Sequence, residues 1–404
     1  MSIVDSDVIV VGAGVGGLAS ALLLARVGAS VTLVEKHDVH EPAGAGILLQ
    51  PNGLAVLCGL GLGDQLRRTG HVIRTTLVHG TRGRPVSALA TPDFGNGLDH
   101  VLAIRRSALH HALLEAVAAQ PMIAVRSGGH VVAAAGTGSI ELDWESRRTT
   151  LTGDLVVGAD GVNSTVRGCA EFGATVTRTP HRYLRGLVPW DSSVSELEGE
   201  FWTPLGLFGG ARVDTSTTYF YASTTAPEVA RAVDAADLTA LRQAWTKDLG
   251  IAGRVLERVS AMGDLLVNDV VRVDCRRWHD GRVVLVGDAA HAMAPTMGQG
   301  ANSALVDAAV LAEELSGDTP VRSSLERYAA RRRRAVGRVQ DRADTLTRLA
   351  HMTSPLGRRT RDVTLRTLGR LPGTGQRLVR AAQQEDPAEL FRTVRALSPT
   401  STAG

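Results

Sequence analysis

The sequence predicts an α/β protein in which a mainly parallel sheet with flanking helices is interrupted by a mixed β-sheet domain and followed by a helical tail. Val8–Val11 and Val283–Gly287 are short apolar runs rich in β-branched residues, as expected of strands buried on both faces. Between them, residues 175–273 contain alternating and aromatic stretches typical of a mixed or antiparallel sheet. At 404 residues, the chain also exceeds the size at which one hydrophobic core usually stops growing.

The composition is that of an ordinary globular protein, with 44% hydrophobic and 21% charged residues. The formal net charge of +3 is too small to indicate a nucleic-acid partner. Cys58, Cys169 and Cys275 are odd in number and far apart, which favours a reducing compartment and predicts neither a disulfide nor a metal site. The run Arg331–Arg334 lies in a helical pattern with acidic residues on both sides, so we expect a solvated helix face.

The stretch Val8–Ala25 is uncharged for long enough to resemble a membrane span. Four glycines inside it, after a strand-like run, favour a strand, a turn and a helix instead. No basic segment precedes it, so no signal peptide is predicted. We therefore expect a cytoplasmic protein with no membrane span.

The first candidate binding motif is the glycine-rich turn after Val8–Val11. Gly12, Gly14 and Gly17 form the pattern G-x-G-x-x-G between a strand and a helix, and Glu35 lies at the end of the next strand. Such glycines let the backbone approach a pyrophosphate at a helix N-terminus, and the acid binds a ribose. We predict these residues, together with the adjacent Lys36, as a dinucleotide site, which by itself leaves the choice between NAD and FAD open.

The second candidate motif is another unit of strand, acid, glycines and helix, far along the chain. Val283–Gly287 leads directly to Asp288, and a helix is predicted to open at Gly300 and Ala301. A nicotinamide dehydrogenase needs no such second unit, whereas FAD is long enough to require one for its ribityl and flavin half. Asp288 is predicted to accept hydrogen bonds from ribityl hydroxyls, and the positive end of the helix to face the pyrimidine edge of the flavin. The two units together predict FAD.

With these motifs, the chain resembles the group A flavoprotein monooxygenases, the para-hydroxybenzoate hydroxylase-like class of FAD-dependent aromatic hydroxylases. The match covers roughly the first 340 residues. The motifs that carry it are, in order, Gly12–Gly17, Asp160-Gly161 followed by Ser164 and Arg167, and Gly287-Asp288 followed by Pro295 and the run GQGAN.

The resemblance implies a Rossmann-like FAD-binding domain with an inserted mixed β-sheet substrate domain. The FAD-binding domain is expected in three parts, residues 1–72, 98–174 and 274–344. The substrate domain is expected in two parts, residues 73–97 and 175–273, followed by a C-terminal helical region, residues 345–404. We call residues 345–404 the tail.

The resemblance also assigns roles to residues outside the glycine turns. It implies that Arg106 reaches the FAD, that Val131 contacts the adenine side through its backbone, and that Asp160 serves both FAD and nicotinamide binding. Asn302 belongs to the same predicted FAD segment as Gly300 and Ala301. The register at Arg106 is ambiguous by one, because its neighbour Arg105 is also an arginine. The competing interpretation is that Arg106 is a surface helix residue like Arg105.

By resemblance, NAD(P)H reduces the FAD, O2 adds at flavin C4a, and the resulting hydroperoxide transfers an oxygen atom to an electron-rich aromatic or enolic small molecule. The alternative is an oxidase or reductase, or a flavoprotein of this fold that sequesters a reactive intermediate. The residues leave open the substrate, the choice of NADH or NADPH, and whether the protein is a monomer or a homodimer.

The substrate pocket is predicted in the inserted domain. Tyr219 and Tyr221 lie two apart in TTYFYAS, so in a strand their rings share one face, and the resemblance places that sheet over the flavin. Tyr219 and Arg185 are the predicted catalytic residues, with the Arg185 guanidinium stabilising a substrate phenolate or carboxylate. The competing interpretation is that both tyrosines are ordinary half-buried strand residues and that the arginine is solvated.

Overall fold

The computed structural model describes residues 3–38, 45–81 and 83–398. Its strands are β1 Asp7–Val11, β2 Ser30–Glu35, β3 Gly46–Leu49, β4 His71–Ile73, β5 Thr75–His79, β6 Pro85–Ala90, β7 Val101–Arg105, β8 Ile123–Ser127, β9 His130–Ala135, β10 Ser139–Trp144, β11 Arg147–Thr152, β12 Leu155–Gly158, β13 Ala174–Pro189, β14 Gly199–Thr203, β15 Gly206–Arg212, β16 Thr217–Ser223, β17 Leu266–Cys275, β18 His279–Asp280 and β19 Val283–Leu285. Its α-helices are α1 Val15–Arg26, α2 Pro51–Gly59, α3 Gly63–Thr69, α4 Arg106–Ala118, α5 Thr165–Cys169, α6 Pro227–Asp234, α7 Leu238–Asp248, α8 Gly250–Leu256, α9 Asp288–His291, α10 Gly300–Leu315, α11 Val321–Ala350, α12 Pro355–Gly369, α13 Thr374–Ala382 and α14 Pro387–Ala396.

The first two predicted strands, β1 and β19, lie in one six-stranded sheet of order β18-β19-β12-β1-β2-β8. All pairs in it are parallel except β18 with β19. Strands β12 and β19 are fully buried, as expected of parallel strands inside an α/β protein. The α/β fold class predicted from the sequence is confirmed.

Helix α1 is buried along almost its whole length, because it lies between this sheet and α10. The contact with α10 is close: a Cβ on Gly16 would lie 3.0 Å from the Cβ of Ala304. The predicted strand, turn and helix at Val8–Ala25 is therefore the observed structure. Among the helices of residues 3–38, 45–81 and 83–398, none combines the length and apolar character that crossing a lipid bilayer requires.

The inserted domain is built on a seven-stranded sheet of order β17-β13-β16-β15-β14-β5-β6. Strand β14 pairs in parallel with β5, which joins two segments more than a hundred residues apart in sequence. Helices α6 to α8 pack on one face around the buried Trp245. The mixed sheet is thus confirmed, while the exact domain boundaries stay a prediction.

The tail continues from α11 into three further helices that return to both domains. Helix α14 packs on α2, where a Cβ on Gly59 would lie 2.6 Å from Val394. Helices α12 and α13 pack against β6 of the inserted sheet. The tail therefore closes over the seam between the two domains.

The predicted solvated face at Arg331–Arg334 is wrong for its first two residues. Arg332 is 0% exposed and donates from Nε to Asp307 Oδ1 at 2.7 Å. Arg331 is half-buried and pairs with Glu385 at 2.9 Å. These two arginines are not solvated because the acids that pair with them come from α10 and the tail, which only the tertiary structure brings next to α11.

Candidate functional site

A cavity of about 750 Å³ lies between the six-stranded sheet and the inserted sheet. Its lining includes the turns after β1 and β12, the segment from β3 to the start of α2, the start of α4, and the loops around α9 and the start of α10. Strands β5, β6 and β13 to β16 and helices α11 to α13 also line it. The residues that the sequence predicted from separate motifs therefore meet at one place. Those that line the cavity are Gly14, Arg106, Arg185, Tyr219, Asp288, Gly300 and Ala301.

The three motif glycines have different surroundings in the turn. A Cβ on Gly12, whose φ is +100°, would lie 2.5 Å from Ala159 O, and one on Gly17 would lie 1.8 Å from Gly12 O. A Cβ on Gly14 would meet nothing within 4 Å, because this residue faces the cavity. Two glycines thus allow tight backbone packing, and Gly14 leaves open the N-terminus of α1, which fits a pyrophosphate.

Glu35 and Lys36 lie beside this turn and outside the cavity lining. The carboxylate of Glu35 accepts hydrogen bonds from Ala13 N at 2.7 Å and His37 N at 3.0 Å. It therefore fixes the turn from the end of β2. Lys36 is exposed, and the predicted cofactor roles of both residues stay predictions.

Asp160 organises the turn after β12. Its Oδ1 accepts from Ser164 Oγ at 2.6 Å, and its Oδ2 accepts from Val166 N at 3.0 Å. The buried Arg167 donates to Ala289 O at 2.9 Å, which ties this turn to α9. Asp160 itself is outside the lining, although the residues on either side of it line the cavity. Its predicted cofactor and nicotinamide roles stay predictions.

Asp288 is the polar group that the second motif places in the cavity. Its side chain is exposed to the cavity and makes no hydrogen bond with the residues that the structure describes. Helix α10 begins close by, and a Cβ on Gly300 would lie 3.8 Å from Asp288 Oδ1. A free carboxylate beside a helix N-terminus fits the ribityl hydroxyls and pyrimidine edge of FAD.

Asn302 is buried and does not line the cavity. Its Oδ1 accepts from Gln50 N at 2.9 Å, and its Nδ2 donates to Leu48 O at 3.0 Å and Gly298 O at 2.7 Å. It thus fastens the β3 to α2 segment, which lines the cavity, to the start of α10. A direct contact of its side chain with the cofactor stays a prediction that this geometry does not favour, because its polar atoms are already bonded.

The adjacent residues Arg105 and Arg106, at the start of α4, have different contacts. Arg105 donates from Nε to Asp214 Oδ2 at 2.5 Å and also bonds Thr217. Arg106 lines the cavity, and its side chain has no partner among the described residues. This placement favours Arg106 for the predicted FAD contact. Val131 is buried in β9 and does not line the cavity.

The inserted sheet contributes the predicted substrate residues. The rings of Tyr219 and Tyr221 lie 5.6 Å apart between centroids, which confirms their shared face. Arg185 lies opposite Tyr221 in the sheet, lines the cavity and has no hydrogen bond or ion pair with the described residues. A cationic group without a partner therefore faces the space beside Tyr219.

The sequence interpretation missed Glu200. Its carboxylate lines the cavity and accepts from Tyr221 OH at 2.9 Å and Trp202 Nε1 at 3.1 Å. Burial raises the pKa of Glu200 above its ordinary value of 4.5, and also raises the pKa of Tyr221. Beside them, the buried hydroxyl of Tyr183 has no partner among the described residues. A lone acid in the aromatic strand GEFWT was the available signal.

The tail was also missed as part of the site. Leu365 of α12 and Leu378 and Val379 of α13 line the cavity. No spacing in the sequence links these residues to the glycine motifs, because only the folded chain brings the tail over β6.

Comparisons with known proteins identify the family. The family described as "FAD binding domain" matches residues 5–343. The chain is 30% identical over 336 residues to the aurachin C monooxygenase/isomerase of Stigmatella aurantiaca, covering 80% of this chain and 84% of that protein. It is 31% identical over 384 residues to the 3-amino-4-hydroxybenzoate 2-monooxygenase PtnB3 of Streptomyces platensis, covering 90% and 93%.

Among solved structures, the tetrameric form of 2-methyl-3-hydroxypyridine-5-carboxylic acid oxygenase is similar, with a TM-score of 0.77 and 25% identity over 95% of this chain and 98% of that chain. The family match spans most of the sequence, and the relatives are aromatic monooxygenases. The chain therefore belongs to the para-hydroxybenzoate hydroxylase-like family of FAD-dependent monooxygenases, which use NAD(P)H as reductant.

Proposed function

We propose that this enzyme hydroxylates an electron-rich aromatic or enolic small molecule that binds against the inserted sheet. The observation that carries the proposal is the set of ionisable groups on one cavity wall, opposite the loops that fit FAD. That set consists of Tyr183, Arg185, Glu200, Tyr219 and Tyr221.

FAD would be held by Gly14 and the N-terminus of α1 at its pyrophosphate, by Asp288 at its ribityl chain and by the start of α10 at its pyrimidine edge. When bound, FAD supplies the redox chemistry, which takes electrons from NAD(P)H and activates O2 for the insertion of one oxygen atom into the substrate. The protein supplies orientation, proton transfer and exclusion of water.

Arg185 and Tyr219 bind and orient the substrate in this proposal. The Arg185 guanidinium has no hydrogen bond or ion pair with the residues that the structure describes, so it is available to a substrate carboxylate or phenolate. Two similar proteins are named for their action on 3-amino-4-hydroxybenzoate and on 2-methyl-3-hydroxypyridine-5-carboxylic acid, which carry a hydroxyl and an acid group on one ring. A hydroxylated aromatic substrate fits the same pair of groups here.

Glu200 is the proton acceptor in this proposal. A substrate hydroxyl that transfers its proton to a Glu200 carboxylate oxygen becomes a phenolate, and its ring becomes more electron-rich. The hydrogen bonds from Tyr221 and Trp202 hold that carboxylate in place. Its raised pKa makes it a stronger base than an exposed glutamate.

The apolar part of the lining keeps bulk water from the reacting atoms. Val78, Leu89, Trp202 and Leu207 form this part on the inserted sheet, and tail residues cover it from outside. Water excluded in this way cannot release the activated oxygen as hydrogen peroxide.

The test is a screen of hydroxylated aromatic compounds for stimulated NAD(P)H oxidation by the FAD-loaded enzyme, followed by mass analysis. We expect at least one compound to give a product one oxygen atom heavier. NAD(P)H consumption that yields only hydrogen peroxide with every compound would favour the alternative, an oxidase or reductase of this fold. A preparation that retains no FAD would contradict the cofactor site itself.

A further inference from the structure

The tail carries an exposed apolar surface. Nine large apolar residues are strongly exposed in the described part of the chain, and five of them fall between residues 356 and 378. These five are Leu356 at 74%, Val363 at 58%, Leu368 at 46%, Leu371 at 55% and Leu378 at 56%. Five such residues within 23 positions form a patch, whereas single exposed apolar residues are ordinary.

Two residues of the patch, Leu356 and Val363, share one face of α12 with arginines. Leu356, Arg359, Val363, Arg366 and Arg370 are spaced three or four residues apart, so they share one face of the helix. We call this face the outer face of α12. The opposite face is occupied, because Arg361 is 5% exposed and donates to Leu349 O at 2.9 Å, and Leu365 lines the cavity.

The segment that forms α12 and α13 is strongly cationic. Residues 355–380 contain seven arginines and one acid, Asp362, a net charge of +6 from seven minus one. Only Arg361 pairs with that acid, at 2.7 Å. The other six have no ion-pair partner among the described residues; they are Arg358, Arg359, Arg366, Arg370, Arg377 and Arg380.

The cavity reaches solvent at α13, the helix that follows α12 in the tail. Leu378 lines the cavity and is 56% exposed, so it stands where the cavity meets solvent. Val379 and Leu365 continue the apolar wall inward from it. An apolar path therefore runs from the outer surface of the tail into the cavity.

We propose that α12 and α13 dock on an anionic lipid surface, so that the cavity mouth faces the membrane. Exposed Leu and Val side chains insert among lipid chains, and the flanking arginines contact anionic headgroups. A second copy of this chain fits poorly, because a twofold interface through this face would bring two unpaired cationic surfaces together.

Docking on a lipid surface also indicates a class of substrate, and this part of the inference rests on the proposed function. A cavity that opens at a lipid surface favours an aromatic substrate with a long apolar substituent, which partitions into the membrane. Such a molecule reaches Leu378 from the lipid without crossing water.

The test is co-sedimentation of the full-length, FAD-loaded protein with vesicles. We expect binding to phosphatidylglycerol/phosphatidylcholine vesicles that weakens with salt, and little binding to phosphatidylcholine alone. The double variant Leu356→Ser/Val363→Ser should bind at least about tenfold more weakly. The triple variant Arg359→Gln/Arg366→Gln/Arg370→Gln should bind about 100-fold more weakly.

Two control variants match these changes elsewhere on the surface. Val176→Ser/Leu266→Ser removes two exposed apolar residues from the inserted sheet, and Arg333→Gln/Arg334→Gln/Arg338→Gln removes three exposed arginines from α11. Both should bind vesicles like the wild type. Equal loss in the controls, or no binding of the wild type to anionic vesicles, overturns the proposal.

Further measurements distinguish lipid docking from an interface between copies of the chain and from the proposed hydroxylase function. Sedimentation velocity without lipid tests whether the patch is instead an interface between copies of the chain. A wild-type oligomer that dissociates in the Leu356→Ser/Val363→Ser variant would show such an interface and would overturn lipid docking. Vesicle binding needs no turnover, so it stands or falls independently of the hydroxylase function. The proposed substrate class is tested with a long-chain alkylphenol in anionic vesicles. NAD(P)H oxidation stimulated by this compound should be slower in Leu356→Ser/Val363→Ser than in the wild type. If the alkylphenol does not stimulate NAD(P)H oxidation by the wild type, the proposed substrate class is contradicted, but lipid docking is not.

Discussion

Gly14 and Gly17 lie three residues apart, where the turn after β1 passes into α1, and have opposite surroundings. A side chain at Gly17 collides with the carbonyl oxygen of Gly12, whereas one at Gly14 points into open space. Gly17 is thus required by the fold, whereas Gly14 leaves room for a ligand.

We predict that Gly17→Ala destabilises the protein by about 3 kcal/mol or more, because a Cβ placed 1.8 Å from a backbone oxygen forces the turn apart. Gly14→Ala should leave the stability of the FAD-free protein within about 0.5 kcal/mol of wild type, and should weaken FAD binding. Urea denaturation and FAD titration of both variants measure this. Equal loss of stability in the two would contradict the distinction.

Asp288→Ala should weaken FAD binding by about 1.5–3 kcal/mol, because ribityl hydroxyls would lose a charged acceptor. Since Asp288 bonds no described residue, the FAD-free variant should be as stable as wild type. Fluorescence titration of FAD checks the first part and urea denaturation the second. Unchanged FAD affinity would remove Asp288 from the site.

Glu200→Gln should lower hydroxylation about 10²–10⁴-fold at neutral pH, because the substrate loses its proton acceptor. In the wild type, kcat/KM should rise with pH through the raised pKa of Glu200, since only the carboxylate accepts a proton. This rise should be absent in the variant. Glu198→Gln is the matched control, because Glu198 bonds His71 at 2.9 Å outside the lining. A similar pH profile in Glu200→Gln and the wild type would exclude Glu200 as the base.

Tyr219→Phe and Arg185→Ala test substrate placement. Both variants should retain FAD and its reduction by NAD(P)H, yet release more hydrogen peroxide per NAD(P)H consumed, because a poorly placed substrate leaves the activated oxygen unused. Peroxide and product are measured together with NAD(P)H consumption. Normal coupling and normal substrate affinity in both variants would show that other residues build the pocket.

At the scale of elements, α10 joins the loops of the site. Its Asn302 holds the segment before α2, and its Asp307 accepts from Gly287 N at 2.9 Å and His291 Nε2 at 2.5 Å. Arg332 of α11 completes the pairing of Asp307. One helix thus positions two loops that approach the cavity from different parts of the chain.

Asp307→Asn should destabilise the protein by about 3–5 kcal/mol, because the buried Arg332 loses its carboxylate partner at 2.7 Å and keeps only the longer ion pair to Glu385, at 3.6 Å, among the described residues. Burial alone would raise the pKa of Asp307, but His291 and Arg332 outweigh it and lower that pKa to about 2. The unfolded-state value is higher, so this stabilisation is present above about pH 3.8 and is lost as the pH falls towards 2. Urea denaturation across pH measures both effects. Asp341→Asn, at an exposed pair, is the control and should change stability by less than about 1 kcal/mol.

On the scale of the whole molecule, two segments of the chain that are distant in sequence build the inserted sheet, and the tail covers the seam. The loops that fit FAD and the proposed substrate wall therefore belong to different units that line one cavity. A ligand that contacts both units in this cavity would stabilise both of them against unfolding.

FAD at 100 times its Kd should add about 2.7 kcal/mol to the free energy of unfolding, because it binds the folded state alone. Urea denaturation with and without FAD measures this, and Asp288→Ala should show a smaller increase at the same FAD concentration. An FAD-independent midpoint would contradict binding in a cavity that the fold creates.

The elements that repeat a local pattern were predictable. Val8–Val11, the glycine turn and Val283–Gly287 carry their signals within a few residues, because strand burial and backbone conformation depend on adjacent positions. The FAD-binding α/β fold, the mixed sheet and the shared face of Tyr219 and Tyr221 followed from such patterns. Family resemblance added the order of the motifs.

The tertiary structure alone decided which polar groups are free and which are bonded. Arg332 and Asn302 resemble solvated or ligand-binding residues in the sequence, but their partners come from other elements. Glu200 faces the cavity only because β14 pairs with β5 and β15, and Leu378 reaches its mouth only because the tail packs on β6. Burial and bonding of a side chain depend on contacts distant in sequence, which no local spacing encodes.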